Sequence, residues 1–153
     1  MSGSIRYFVA GEPKGQPRPR ACIRGNRAAV YDPGTADGWK WAVRAATAEH
    51  RGQGVLWGPV RLVLRFLMPR PKAHFRSGRH SAELKPEAPD HHQAKPDLDN
   101  LEKAVMDAMT AAGIWLDDSQ VTSKESRKLY APPGSAPGCW IEVVEADAAR
   151  AVA

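Results

Sequence analysis

Cysteine is nearly missing from this chain. Cys22 and Cys139 stand far apart and outside any CxxC pair, which argues against a disulfide framework and a cysteine-based zinc site and leaves both as small core residues. Long apolar runs are missing too. The longest, around Leu62 to Met68, is interrupted by Arg65 and falls far short of the ~20 residues that cross a bilayer, so no membrane partner is expected. The first ten residues lack a basic stretch followed by an apolar one, so no secretory signal is read and a cytoplasmic location is expected. GxSxG, Walker A and GxGxxG motifs do not occur, and no small-molecule cofactor is expected.

What is present is proline and positive charge. Of 153 residues, 13 are Pro and 13 Gly, and 22 Lys and Arg face 17 Asp and Glu, giving a net charge of +5. That balance favours polyanionic partners. The length suits one domain over residues 1–153, with an ordered core over about residues 5–144 and a tail, 145–153, that has few apolar anchors and is expected to fray.

Residues 5–9 read as a strand. It leads into Lys14-Gly-Gln-Pro-Arg18-Pro-Arg20, where prolines forbid a helix and leave an extended basic loop. Residues 21–24 and 28–31 flank Gly25-Asn26 as a hairpin. Trp39, Ala42, Val43, Ala46 and Thr47 recur at helical spacing and predict a helix over about residues 36–50. Residues 59–68, rich in Val, Leu and Phe, read as a half-buried or central strand closed by Pro69 and Pro71. Residues 70–95 hold no sustained period and read as a long basic loop able to order on a ligand.

A second helix is predicted over residues 99–112. Leu101, Ala104, Val105, Ala108, Met109 and Ala112 form its apolar stripe, with Asp99 as N-cap, Glu102 completing a capping box and Gly113 as the stop. Strands follow at 114–116, 121–130 and 140–144, and the five tryptophans are read as mostly core. The elements predict an α+β fold: a single small domain with one mixed β-sheet and two helices packed on a face.

The densest acidic constellation is Asp97-Leu98-Asp99, followed by Asp117-Asp118 after the second helix. Carboxylates two apart in an extended lead share a face. Gathering such groups in a basic protein is relieved by a hard divalent cation such as Mg²⁺, an oxygen-liganded ion that keeps several waters. The plainer alternative is that Asp99 is only a cap, Asp97 only a charge suited to a helix N-terminus, and Asp117-Asp118 only a turn. An EF-hand is excluded because Leu101 occupies its third ligand position. Lys103, one turn beyond Asp99, either pairs on the helix with Asp107 or projects toward a phosphate. Basic residues concentrate in 6–27 and 70–95, among them Lys14, Arg18, Arg20 and Lys95, in loops suited to phosphate contacts or to a solvated surface. The histidines of the long loop lack the pairing of a zinc site.

Taken together, Lys95-Pro96-Asp97-Leu98-Asp99-Asn100-Leu101-Glu102-Lys103, Met106-Asp107-Ala108 and Asp117-Asp118-Ser119-Gln120-Val121 resemble the signature of RusA-type Holliday-junction resolvases, common in phages and prophages. Gly11-x-Pro13-x-Gly15-x-Pro17-Arg18-Pro19-Arg20 and Tyr31-x-Pro33 are similar to the opening of that family, so the likeness runs from about residue 5 to 144. The resemblance implies a homodimeric endodeoxyribonuclease that nicks four-way DNA junctions in symmetric pairs with Mg²⁺, which Mn²⁺ can replace, in recombination or repair in a bacterial cell. It implies catalytic or metal-binding roles for Asp97, Asp99 and Asp118, a catalytic Lys103, and an acidic position of less defined role at Asp117. Rival readings are a non-catalytic DNA-binding protein and a metal nuclease acting on other branched DNA.

Overall fold

In a computed structural model, residues 3–146 are described. The elements in chain order are β1 (Ser4–Ala10), β2 (Arg20–Arg24), β3 (Arg27–Tyr31), α1 (Asp37–His50), β4 (Val60–Met68), α2 (Leu98–Ala111), β5 (Val121–Tyr130) and β6 (Gly138–Glu145). The architecture is α+β, with two helices and a mixed four-stranded sheet ordered β1-β6-β4-β5. β4 and β5 run parallel and the other neighbours antiparallel.

β4 dictates the layering. In Val-Arg-Leu-Val-Leu-Arg-Phe-Leu-Met every second residue, Val60 through Met68, is buried, while Arg61 and Arg65 turn to the opposite face. Tyr7 and Val9 of β1 and Cys139, Ile141 and Val143 of β6 join that inner face. α2 closes it with Leu101, Ala104, Val105, Ala108 and Met109, and α1 adds Trp39 and Val43. Within this core the Tyr7 hydroxyl hydrogen-bonds the Thr47 hydroxyl at 2.7 Å, so the one buried polar residue of α1 is satisfied.

Several expectations are corrected. The hairpin does not join the main sheet: β2 and β3 form a separate two-stranded ribbon, isolated by the prolines on either side. Residues 114–116 are not a strand. They make a single bridge, Leu56 to Trp115, because Trp115 turns its indole N–H to Thr110 Oγ1 at 2.7 Å and the Leu116 N–H goes to the Gln120 side chain. Of the tryptophans, Trp39 and Trp115 are buried and Trp41, Trp57 and Trp140 exposed. Trp41 follows Trp39 by two helical positions, which places it on the opposite face. Cys139 is buried as expected, but Cys22 is only half-buried on the ribbon. Residues 147–153 of the expected frayed tail lie outside the described residues, whereas Glu145 ends β6 and the Ala146 N–H bonds the Pro59 carbonyl.

The segment 70–95 is without helix or long strand but is tied down along its length. Two 3₁₀ turns (Lys72–His74 and Gly78–His80) and a Phe75–Leu84 bridge fold it on itself. The Arg70 guanidinium donates to the carbonyls of Ala131 and Pro89 at 3.1 and 2.7 Å, and Tyr130 N–H donates to the Asp90 carbonyl. His74 and His92 each meet the Tyr130 ring near 4.8 Å, with edge geometry, which accounts for two of the four loop histidines as packing groups.

Candidate active site

The N-terminus of α2 is the focus of the acidic constellation. The helix starts at Leu98, with Asp97 in the extended N-cap conformation, so Asp97 rather than Asp99 stands at the cap. Asp99 lies in the first turn, where its Oδ1 accepts the Asn100 N–H at 2.9 Å. The expected capping box is absent: Glu102 instead pairs with Lys124 of β5. Asp97 makes no side-chain cap hydrogen bond, leaving its carboxylate uncommitted at the helix end, where the partial positive charge of the backbone favours anions.

Two remote segments converge here. From the amino-terminal side, Gln16 N–H donates to the Asn100 carbonyl at 2.9 Å, and a Cβ at Gly15 would lie 3.1 Å from both Pro96 Cβ and Asn100 Cβ. The basic loop therefore lies flat on the head of α2 because position 15 has no side chain. From β5, the Lys128 ammonium donates to the carbonyls of Ala94 (2.6 Å) and Pro96 (2.8 Å), fixing the strand of chain that delivers Asp97. The Lys95–Pro96 peptide is cis. Together these segments wall an open hollow of about 680 Å³ whose lining includes Lys14, Arg18, Arg20, Lys95 and Asp97. All four candidate DNA-contacting cations thus share one concavity with one candidate catalytic acid. Lys14 is also paired with Glu12 at 3.2 Å.

The second acidic pair lies off the helix, on a separate turn that packs beside α2. Asp117 and Asp118 sit on a 3₁₀ turn (Asp118–Gln120) with a reciprocal capping box: Ser119 N–H donates to Asp117 Oδ1, while Gln120 Oε1 accepts from Asp117 N–H and Leu116 N–H. Gln120 Nε2 also donates to the Leu56 and Gly58 carbonyls at 2.9 and 3.0 Å, so one amide anchors the turn to the chain ahead of β4. The Ser119 backbone hydrogen bond holds the Asp117 carboxyl below the usual carboxylate range. Asp118 is pushed up, first by its hydrogen bond with Asp117, then by burial and by the negative charges of Asp117 and Asp107, with Lys103 opposing.

Asp118 therefore lies within electrostatic reach of Lys103 and Asp107, residues one and two turns along α2 from Asp99. Eight helical residues, Asp99 to Asp107, cover roughly 12 Å. Asp117 and Asp118 are hydrogen-bonded to each other, but they are not gathered with Asp97 and Asp99 at the common point expected for the four acids. Among the described residues, no three His, Cys, Asp or Glu side chains stand close enough to hold one ion. Lys103 lies 3.9 Å from Asp107, as does Lys40 of α1, which also donates to Gln16 Oε1 at 3.0 Å. Lys40, Asp107, Gln120 and Lys128 escaped the sequence reading as site components. For Asp107 the i+4 spacing to Lys103 was a visible signal, and Gln120 stands within the Asp117-Asp118-Ser119-Gln120-Val121 motif; for Lys40 and Lys128 only the tertiary fold supplies one.

An open hollow lined by Lys14, Arg18, Arg20 and Lys95 beside the Asp97 carboxylate suits a polyanionic chain better than a small apolar ligand. The family model for RusA endodeoxyribonucleases matches residues 10–143, and the chain belongs to that family. It is 34% identical over 131 residues to the protein YqaN of Bacillus subtilis, covering 82% of this chain and 87% of that one. The crossover junction endodeoxyribonuclease RusA of Escherichia coli is 53% identical over 38 residues, 25% of this chain and 32% of that protein. The enzyme of the same name from Enterobacteria phage 82 matches to the same extent. The chain thus spans most of YqaN but aligns with about a third of the named junction endonucleases.

Proposed function

We propose that this protein is a metal-dependent endodeoxyribonuclease that resolves four-way DNA junctions by paired symmetric nicks. The observation that carries the reading is the uncommitted Asp97 carboxylate at the head of α2, inside a hollow lined by Lys14, Arg18, Arg20 and Lys95. Membership of the RusA family supports it.

The donor set suits a hard cation. Asp97, Asp99 and Asp118 offer oxygen alone, in solvent-open positions, and a Mg²⁺ site built from one or two carboxylates, waters and substrate phosphate does not need an all-protein cage. Because no three of these acids stand together among the described residues, Mg²⁺ or Mn²⁺ would be held by one or two of them, Asp97 and Asp99 at the head of α2 or Asp118 with Asp117 as a further candidate beside Lys103, with waters and substrate phosphate completing the shell. Such an ion, held there, would supply an activated water and charge neutralisation at the phosphoryl group. The chain's own part is positional and electrostatic. Lys14, Arg18, Arg20 and Lys95 hold phosphates along the hollow, and Lys103 supplies positive charge where the transition state gathers negative charge. Attack of water at phosphorus displaces the 3′ oxygen, leaving 5′-phosphate and 3′-hydroxyl ends. A C₂ homodimer presents two such sites to a junction that is itself nearly two-fold symmetric, so opposed strands are cut.

The test is cleavage of a labelled immobile four-way junction beside a linear duplex of the same sequence, with Mg²⁺ and with EDTA. Paired nicks confined to the junction and abolished by EDTA are expected. Tight binding without cutting would instead make the protein a DNA-binding module, and equal cutting of both substrates a less selective nuclease. In the same assay Asp99→Asn loses cleavage and keeps junction binding, because one negative charge near phosphate is removed. Wild-type cutting by that variant refutes the catalytic assignment.

A further inference from the structure

The β2–β3 ribbon has two unlike faces, and among the described residues nothing covers one of them. The register pairs Ala21 with Val30 and Ile23 with Ala28, which puts these four apolar residues on one face; Arg20, Cys22, Arg24, Arg27, Ala29 and Tyr31 take the other. The apolar face is open to solvent, with Ile23 81% and Val30 72% exposed. A two-stranded ribbon with an unpacked apolar face is only marginally stable by itself, so its sequence points to an occupant.

The charge around the ribbon identifies that occupant. From residue 13 to residue 31 there are five basic side chains, Lys14, Arg18, Arg20, Arg24 and Arg27, and no acidic one. A second copy of this basic chain would meet that charge with its own. DNA meets it with phosphate. The ribbon also grows directly from the wall of the Asp97 hollow, through Arg18 and Arg20, so whatever lies in the hollow continues onto the ribbon. A two-stranded ribbon fits a DNA groove, and apolar side chains are the groups that DNA-bending proteins insert against unstacked base steps.

We propose that the β2–β3 ribbon is a wedge for branched DNA. Ile23 and Val30, flanked by Ala21 and Ala28, cover base pairs laid bare at the crossover, while Arg20, Arg24 and Arg27 on the ribbon's other face hold phosphates of the strand that passes behind it. The inference rests on the junction-nuclease reading and adds to it the part of the chain that recognises the branch, as distinct from the part that cuts.

The experiment uses the full chain in EDTA with a four-way junction carrying 2-aminopurine at the branch point. Binding of the wild type raises the fluorescence as the base unstacks. The double variant Ile23→Thr with Val30→Thr keeps strand-forming side chains and removes the apolar face. It binds the junction about 10-fold more weakly, in keeping with the loss of one or two base contacts, and loses the fluorescence rise. Its affinity for linear duplex and its salt dependence stay as in the wild type, because the arginines remain. Ile23→Leu with Val30→Leu, apolar throughout, retains the rise. An unchanged fluorescence response in the Thr variant, with paired nicking intact in Mg²⁺, overturns the wedge and leaves the nuclease reading standing. Conversion of a wild-type dimer to monomer by the Thr pair, seen in sedimentation, assigns the face to a second copy and overturns it too. Failure of the wild-type chain to bind junctions overturns the nuclease reading, and the wedge with it.

Discussion

Lys128→Met tests whether the head of α2 is held in place by a single side chain of β5. The Lys128 ammonium bonds the Ala94 and Pro96 carbonyls at 2.6 and 2.8 Å, immediately ahead of Asp97. Hydrogen bonds from a charged donor contribute about 1.5–3 kcal/mol each, and a half-buried setting in which water can replace the donor favours the low end. The pair is therefore worth about 3 kcal/mol. In a domain of this size each kcal/mol shifts Tm by about 2–4 °C, so thermal melting should show a drop of about 6–12 °C. The second consequence is kinetic. Release of those carbonyls lets Asp97 drift, and a displacement of about 1 Å at a reacting group costs up to ~100-fold in rate. Single-turnover cleavage of a four-way junction, measured well below the variant's Tm, should show kcat reduced by about 10- to 100-fold with junction affinity nearly unchanged. Lys128→Arg, which keeps charge and donors, should recover part of both losses. A lowered Tm with wild-type kcat would make Lys128 a stabilising residue only; an unchanged Tm would refute the value assigned to the two hydrogen bonds.

Three further outcomes are expected. Gln120→Ala removes four hydrogen bonds, two within the turn (from the Leu116 and Asp117 N–H) and two to the Leu56 and Gly58 carbonyls ahead of β4, at roughly 1 kcal/mol each; melting should fall by about 8–16 °C, and a change under about 2 °C would refute the anchoring role. Replacing Arg18 and Arg20 together with Ala should weaken binding to all DNA sequences and reduce the slope of log affinity against log salt by about 2; an unchanged slope would assign the loop a structural role. Burial, followed by the nearby Lys128 cation, lowers the His92 pKa from 6.5, so the unfolded chain takes up this proton first as pH falls. The stability His92 confers is present above pH 6.5 and lost as pH drops below it through the folded-state value. In melts across that range His92→Gln should flatten the acid-side decline, and a parallel decline in both proteins would refute the assignment.

The elements that depend on a repeating apolar pattern were legible in the sequence. α2 buries the stripe Leu101, Ala104, Val105, Ala108 and Met109, and α1 and β4 fall within a residue of the predicted spans. Trp41, read as core, was misplaced although the stripe through Trp39 and Val43 leaves it on the outer face, where it is exposed. What failed to show was fixed by groups with no period. Asp97 and Asp99 are both reasonable caps, and the choice between them follows from where Lys128 and Gly15 dock the preceding chain. The long loop reads as unstructured because its anchors are backbone carbonyls, Pro89, Asp90 and Ala94 among them, which any sequence possesses. The separate ribbon could not be told from a strand pair within the sheet, because exposure of Ile23 and Val30 has no signature in composition.

The parallel pairing of β4 with β5 explains why the acidic and basic segments meet where they do. A parallel connection needs a crossover, here the long loop and α2, and a helix returning over the sheet must begin near the ends of the strands it joins and run back against them. The N-terminus of α2 is thereby delivered beside the carboxyl end of β5, within reach of Lys128. That end of a parallel pair is where open α/β sheets place their ligands, and helix N-termini add positive field. The amino-terminal loop has only to lie across this point, which Gly15 permits, for Lys14, Arg18, Arg20, Lys95 and Asp97 to share a surface although they are distant in sequence. Asp117 and Asp118, entering β5 from its other end, are bound by the same geometry to meet α2 farther along, beside Lys103 and Asp107. The division of the acids into two groups along one helix thus follows from strand direction, and the exposed side of α2 between them, where Lys103 projects, is the stretch that a DNA backbone has to follow to meet both.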